Sequence, residues 1–181
     1  DIAVEDRIGC PEGQVRAMLR DGSRDAMVGT ALRHDRASSY NNVLASSDGS
    51  VVNVEGSATK VELTEPDERG HLVHTNHYVC DMMLGYEGDP AYAERSAVRY
   101  RRAAELLAER ADGSVTEDDL RAILSDHEHA PDSLCRHETQ GLEGSVTCFW
   151  CVADVTDMRI TFGRGNPCDS VAQEYVFADP R

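Results

Sequence analysis

Two runs of short β-prone segments, each preceded by a pair of helical stretches, constrain what this chain can fold into more than any other feature. The first run opens with Tyr40-Asn41-Asn42-Val43-Leu44-Ala45, turns at Ser47-Asp48-Gly49-Ser50, and returns through Val51, Val52 and Val54. Asp-Gly between two apolar stretches is a strong hairpin signal, and a hairpin is antiparallel by construction. A third strand is expected over 59–63, where Val61 and Leu63 alternate with Lys60 and Glu62. A fourth is expected at Leu72-Val73, after the turn Pro66-Asp67-Glu68-Arg69-Gly70. The second run is expected as strands over 145–153, 158–162 and 173–177, with Asp154-Val155-Thr156-Asp157 turning between the first two.

The helical stretches carry their own punctuation. Pro11 suits the first turn of a helix over 12–20, which Asp21-Gly22 breaks. Ser23 caps a second helix through 34, with Ala26, Met27, Thr30 and Ala31 on one face. The strongest helix spans 92–110, its apolar face made by Ala93, Ala97, Tyr100, Ala104, Leu107 and Ala108, and Asp112-Gly113-Ser114 ends it. Thr116-Glu117-Asp118-Asp119 resembles a capping box and starts a helix to about 125. A long polar loop over 127–144 follows, and long loops in compact domains are often functional. Runs of strands alternating with runs of helices favour α+β with antiparallel sheets. No repeat, low-complexity tract or linker divides the 181 residues, so 1–181 reads as one domain or a segment of one, without an internal boundary.

Composition excludes several partner classes. Lys+Arg 18 against Asp+Glu 33 gives a net charge of −15, the wrong sign for nucleic acid or an anionic membrane. Lys60 is the one lysine among the 18 cationic residues. That bias fits a GC-rich coding genome, with a salt-adapted source as the second reading. No apolar run of about 18 residues reads as a membrane span, and no secretory signal is visible. The six cysteines, at 10, 80, 135, 148, 151 and 168, lack the tight spacing of a disulfide scaffold. Reduced, mostly buried thiols in a cytoplasmic protein are the expectation.

The chemistry concentrates in Gly70-His71-Leu72-Val73-His74-Thr75-Asn76-His77-Tyr78, where an apolar strand is expected to run into polar side chains centred on Asn76. A carboxamide NH2 held at a rigid strand end is a neutral donor suited to a developing oxyanion. The segment resembles the His-Thr-Asn-His motif of the isopenicillin N acyltransferase (acyl-CoA:6-aminopenicillanic acid acyltransferase, C45-like) family of N-terminal-nucleophile hydrolases. Four further segments resemble that family in the same order. They are Asn42-Val43-Leu44-Ala45 with Asp48-Gly49 and Val54-Glu55, then Ser96-Ala97-Val98-Arg99. Next come Ser133-Leu134-Cys135-Arg136 with Gly144-Ser145-Val146-Thr147, and finally Arg159 with Phe162-Gly163-Arg164-Gly165-Asn166-Pro167.

The resemblance implies an αββα four-layer sandwich, of which this chain would form roughly the C-terminal half. It implies chemistry on amide or thioester bonds through an acyl-enzyme on a residue exposed by self-cleavage. Asn76 then matches the oxyanion carboxamide and Arg136 an arginine of the catalytic pocket, with His77 and Tyr78 as substrate contacts and the two catalytic side chains expected near one another. The opening, residues 1–10, reads as the tail of something begun earlier, so the nucleophile is expected from an upstream segment or a second chain that completes the sheets. The substrate would be a small acyl or amide compound, acyl-CoA among the candidates, with no cofactor and no metal.

Blander readings stand beside these. Asn76 with His74 and His77 could close a turn, and Arg136 could pair with Glu138 or Asp132. His74, His77 and Cys80, or Cys148 with Cys151, invite a zinc reading, but the second pair falls inside an expected strand where the two side chains face opposite ways. Cys135, flanked by Arg136 and His137, is the thiol whose neighbours would favour a thiolate, either as a substitute nucleophile or as an incidental buried group. His127 and His129 read as solvated. The alternative function is a non-catalytic scaffold or binding relative that keeps the fold without the nucleophile.

Overall fold

The computed structural model describes residues 11–21, 23–33, 40–110, 115–138 and 145–178. Expectations that rest on Cys10, Gly22, His34, Asp112-Gly113-Ser114 and Gly144 lie outside them. The chain forms two compact units, Asp1–Pro90 and Ala91–Arg181.

In the first unit, helices α1 (Pro11–Met18) and α2 (Arg24–Ala31) precede a meander of β1 (Tyr40–Ala45), β2 (Val51–Gly56) and β3 (Val61–Thr64). Ser23 caps α2 by accepting from the Ala26 N–H, as its residue type predicts. The hairpin pairs Ala45 with Val51 across a turn in which Gly49 takes φ +87°, a conformation that only glycine adopts without strain. β2 is the central strand, antiparallel to β1 on one side and β3 on the other. Alternation sends Val52 and Val54 to one face, where they pack with Leu44, Met18 and Ala31, flanked by Met27, Val28 and Val61. Full burial of each large aliphatic chain contributes roughly 1.5–3 kcal/mol, so this helix-on-sheet layer is what holds the meander flat against α1 and α2. Gln14 donates to the Ala31 carbonyl, satisfying an acceptor at the C-terminal end of α2. The face of α2 that is buried uses Met27, Val28 and Ala31, not Ala26, which is exposed.

The expected fourth strand at Leu72-Val73 does not form. The neighbouring N–H groups of Tyr78, Val79 and Cys80 go instead to the carboxylates of Glu87 and Glu55. Side chains therefore take the place of a ladder partner, and Asn76 sits in a pinned loop instead of at a strand end.

In the second unit, α3 (Pro90–Ala108) and α4 (Glu117–Leu124) precede β4 (Phe149–Asp154), β5 (Arg159–Arg164) and β6 (Gln173–Val176), paired in that order and antiparallel. The capping box of α4 is present, Thr116 and Asp119 each bonding the other's backbone N–H. Along α3 the buried residues are Ser96, Arg99 and Ala103, a stripe displaced from the alanine-leucine face that hydropathy selects. Ser96 and Ala103 on that stripe are small, and Arg99 between them donates from Nη1 to the Arg95 carbonyl. β4 begins at 149, not 145: the Cys148 carbonyl still accepts from the Gly165 N–H beside the β4–β5 ladder, but one residue earlier the Thr147 N–H turns to the Arg136 carbonyl, away from β5. The thiols are less buried than expected. Cys135 is buried and Cys80 half-buried, whereas Cys148, Cys151 and Cys168 are exposed, and none is in a disulfide.

Trp150 organises the end of this sheet. It is buried, donates from Nε1 to Ser170 Oγ at 2.7 Å, and lies under the Arg121 guanidinium at 4.8 Å. Its register partner is Gly163. A Cβ at 163 would collide with Trp150 Nε1 and come within 2.8 Å of Cε2 and 2.9 Å of Ser170 Oγ. Gly163→Ala is therefore expected to destabilise the protein by about 1–3 kcal/mol, the range for overpacking a tight site, read as a shift in the urea midpoint. An unchanged midpoint would show that the indole can move aside.

Candidate active site

The second face of β2 carries Asn53 and Glu55, and both are buried. Glu55 is 1% exposed, which for a carboxylate requires compensation. His74 Nε2 lies 2.6 Å from Oε1, the Val79 N–H donates to the same oxygen at 2.6 Å, and the Cys80 N–H donates to Oε2 at 2.8 Å. Burial alone would raise the Glu55 pKa; the bonds from His74, Val79 and Cys80 and attraction to His74 outweigh it and hold the carboxyl below its usual 4.5. One carboxylate on a central strand thus fixes both ends of the segment 74–80.

Between those anchors the chain is presented to a cleft of about 810 Å3 whose lining includes Asn41, His74, Asn76, His77, Tyr78 and Tyr86. Asn76 is exposed at this cleft, between loop positions bonded to Glu55 at 74, 79 and 80. Thr75 Oγ1 and His77 Nδ1 are 3.1 Å apart, which orients the imidazole. Tyr78 donates its hydroxyl to the Gly56 carbonyl and its N–H to Glu87, so its ring forms a fixed wall. A cleft of this size suits a small molecule, and a rigid amide donor on its wall suits a reaction in which negative charge develops on oxygen.

Three of the four residues singled out from the sequence, Asn76, His77 and Tyr78, are together on this cleft. Arg136 belongs to the second unit. There its Nε donates to the Pro131 carbonyl at 3.2 Å and its Nη2 faces Asp132 at 3.5 Å, the ion pair that the blander reading names. Arg99, the last residue of the Ser-x-x-Arg segment, is buried in the same unit, and burial followed by the like charge of Arg136 pulls its pKa below the ordinary value. Asp132, paired with Arg136, works the other way on Arg99 and offsets part of that repulsion. Cys135 is 1% exposed, which counts against it as a nucleophile open to substrate.

Of the His and Cys residues first considered for zinc, His74 bonds Glu55 and His77 faces Thr75, while Cys151 lies on β4 with Cys148 before it. The grouping of potential ligand atoms found among the described residues is a different one, His127, Cys135, His137 and Cys168.

A family model described as acyl-coenzyme A:6-aminopenicillanic acid acyl-transferase matches residues 5–169. The chain belongs to that family. Comparison with curated proteins gave no match. All five segments through which the sequence resembles the acyl-transferase family fall inside the matched span.

Glu55 is the residue that sequence reasoning passed over as a component of this cleft. Its signal was present. The strand reads Val51-Val52-Asn53-Val54-Glu55, and a two-faced central strand with a polar second face needs partners for that face. What the sequence could not give was the partner, because His74 lies 19 positions away.

Proposed function

We propose that this chain is part of an acyltransferase or amide hydrolase of the N-terminal-nucleophile type, working through an acyl-enzyme inside an αββα sandwich. The observation that carries the reading is the Glu55 network, which fixes a loop presenting the Asn76 carboxamide to a small-molecule cleft. A Cys, Ser or Thr at the start of a polypeptide lying upstream, or of a second chain, adds to the carbonyl of an amide or a thioester such as acyl-CoA. The Asn76 NH2 donates to the oxygen as it becomes anionic. The carbonyl re-forms as the amine or thiol leaves with a proton, and an acceptor amine or water then takes the acyl group and restores the nucleophile. His77 and Tyr78, which line the cleft, contact the substrate.

Exposed apolar side chains on outer strands support the need for a covering polypeptide. Val43 of β1 and Leu63 of β3 are exposed, and all four residues of β6, including Tyr175 and Val176, are exposed. Strand edges of this kind are covered in stable proteins. Among the described residues no helix is long and apolar enough to cross a membrane.

The test is intact mass of every polypeptide in the purified protein, before and after brief exposure to an acyl-CoA. The expected result is a second polypeptide that begins with Cys, Ser or Thr and gains one acyl group. Absence of any acylated species, with acyl-CoA unconsumed, would favour a relative that keeps the fold and has lost the chemistry.

A further inference from the structure

The second unit holds four soft-ligand side chains from three separate stretches. His127 follows α4, Cys135 and His137 flank Arg136, and Cys168 sits in the turn after β5. Their ligand atoms all lie within 4.8 Å of one another. The separations are His127 Nε2 to His137 Nε2 2.9 Å, Cys135 Sγ to Cys168 Sγ 3.6 Å, Cys135 Sγ to His137 Nε2 3.7 Å and Cys168 Sγ to His137 Nε2 3.3 Å.

Those edges have a simple interpretation. Bond lengths of about 2.3 Å to sulfur and about 2.05 Å to nitrogen set the edges of a tetrahedron around zinc at roughly 3.8 Å for S···S, 3.5 Å for S···N and 3.3 Å for N···N. Of the five S-containing edges, the three that join Cys135, Cys168 and His137 match within a few tenths of an ångström, and the two that run to His127 are within 4.8 Å. The N···N edge is shorter, 2.9 Å, the distance at which one neutral imidazole N–H donates to the other ring's lone pair, and a metal ion taking the place of that proton would open it by a few tenths of an ångström. We propose that His127, Cys135, His137 and Cys168 form a tetrahedral Cys2His2 site for one divalent zinc-type ion.

The protein holds the ligands in place by independent means. The Cys135 N–H donates to the Asp126 carbonyl, and Asp126 is itself gripped by Arg102 through two bonds of 3.1 and 2.8 Å. Ser133 donates its hydroxyl to the Cys135 carbonyl at 2.6 Å. Arg121 donates to the carbonyls of Pro167 and Ser170 on either side of Cys168. Asn166 Nδ2 points at Cys135 Sγ at 3.3 Å and at the Arg136 carbonyl at 2.8 Å, an outer-shell donor of the kind that tunes a metal thiolate. Two thiolates neutralise the dication, S2N2 selects zinc over magnesium or calcium, and four protein ligands leave no open position, so the site is structural. It closes the 127–137 loop onto the 165–170 turn and holds Arg136 between two of its ligands.

The experiment is a titration of the untagged, reduced protein with Co2+ alone, followed by displacement with Zn2+. One equivalent of Co2+ is expected to give visible d–d bands of a tetrahedral ion and a near-ultraviolet thiolate charge-transfer band, both lost on adding one equivalent of Zn2+. Asn166→Ala is expected to weaken binding by about 10-fold, and a Cys135→Ser/Cys168→Ser double variant to abolish the charge-transfer band. Should that variant fail to fold, alkylation mass spectrometry on the wild type gives the same answer, with Zn2+ expected to protect Cys135 and Cys168 but not Cys148 or Cys151. An octahedral or absent spectrum overturns the proposal, as does equal labelling of all four thiols with Zn2+ present. A Cys135–Cys168 disulfide that persists under equimolar Zn2+ and mild reductant overturns it too.

Discussion

Replacing Glu55 by alanine is expected to cost about 3–5 kcal/mol of stability, the range for removing one partner of a buried charged network. The substitution leaves His74, 6% exposed at its side chain, and the N–H groups of Val79 and Cys80 without their acceptor. Glu55→Gln keeps the volume and one acceptor oxygen but turns an NH2 toward a donor, so a smaller loss is expected. The pH dependence carries a sign. The folded-state pKa of Glu55 is depressed below 4.5, so its contribution is complete above that value and disappears as pH falls through the folded-state pKa. Stability measured by urea unfolding should therefore decline in acid, and Glu55→Gln should flatten that decline relative to the wild type. Comparing the two isolates Glu55 from Asp126, whose carboxyl Arg102 also holds low. Equal stability of Glu55→Ala and wild type at neutral pH would show that the loop does not depend on this carboxylate.

Asn76→Ala is expected to lower acyl transfer by on the order of 100-fold or more while leaving the fold intact. Asn76 is exposed at the cleft, so its truncation leaves no buried cavity. An oxyanion donor acts on the transition state, so kcat and kcat/KM should fall together with the substrate affinity little changed. A residue that merely closes a turn would give the opposite pattern, a lowered melting temperature with activity retained per folded molecule. That second pattern would remove Asn76 from the catalytic machinery.

Local signals were legible wherever the physics is local. Asp48-Gly49 specified the hairpin and its register, Ser23 and Thr116 specified two helix starts, and the strand-helix grouping specified α+β with antiparallel sheets. The His-Thr-Asn-His segment pointed to the family. Misreadings arose where a partner distant in sequence decided the outcome. Leu72-Val73 has the composition of a strand, yet its surroundings are organised by a carboxylate on β2. Hydropathy chose the wrong stripe of α3 because a buried arginine is invisible to it. Cys135-Arg136-His137 suggested thiolate chemistry, whereas Cys168, 33 positions on, gives the same atoms a different context.

The anchoring of the cleft loop has a consequence for how such a protein can diversify. Glu55 holds the loop at 74, 79 and 80, and every one of those bonds is made to backbone or to His74. The side chains at 75 and 77 meet each other, Thr75 Oγ1 lying 3.1 Å from His77 Nδ1. The frame that aims Asn76 is thus set by one carboxylate on a central strand, so a change at 55 would reach the whole cleft wall at once, whichever acyl or amine group that wall receives.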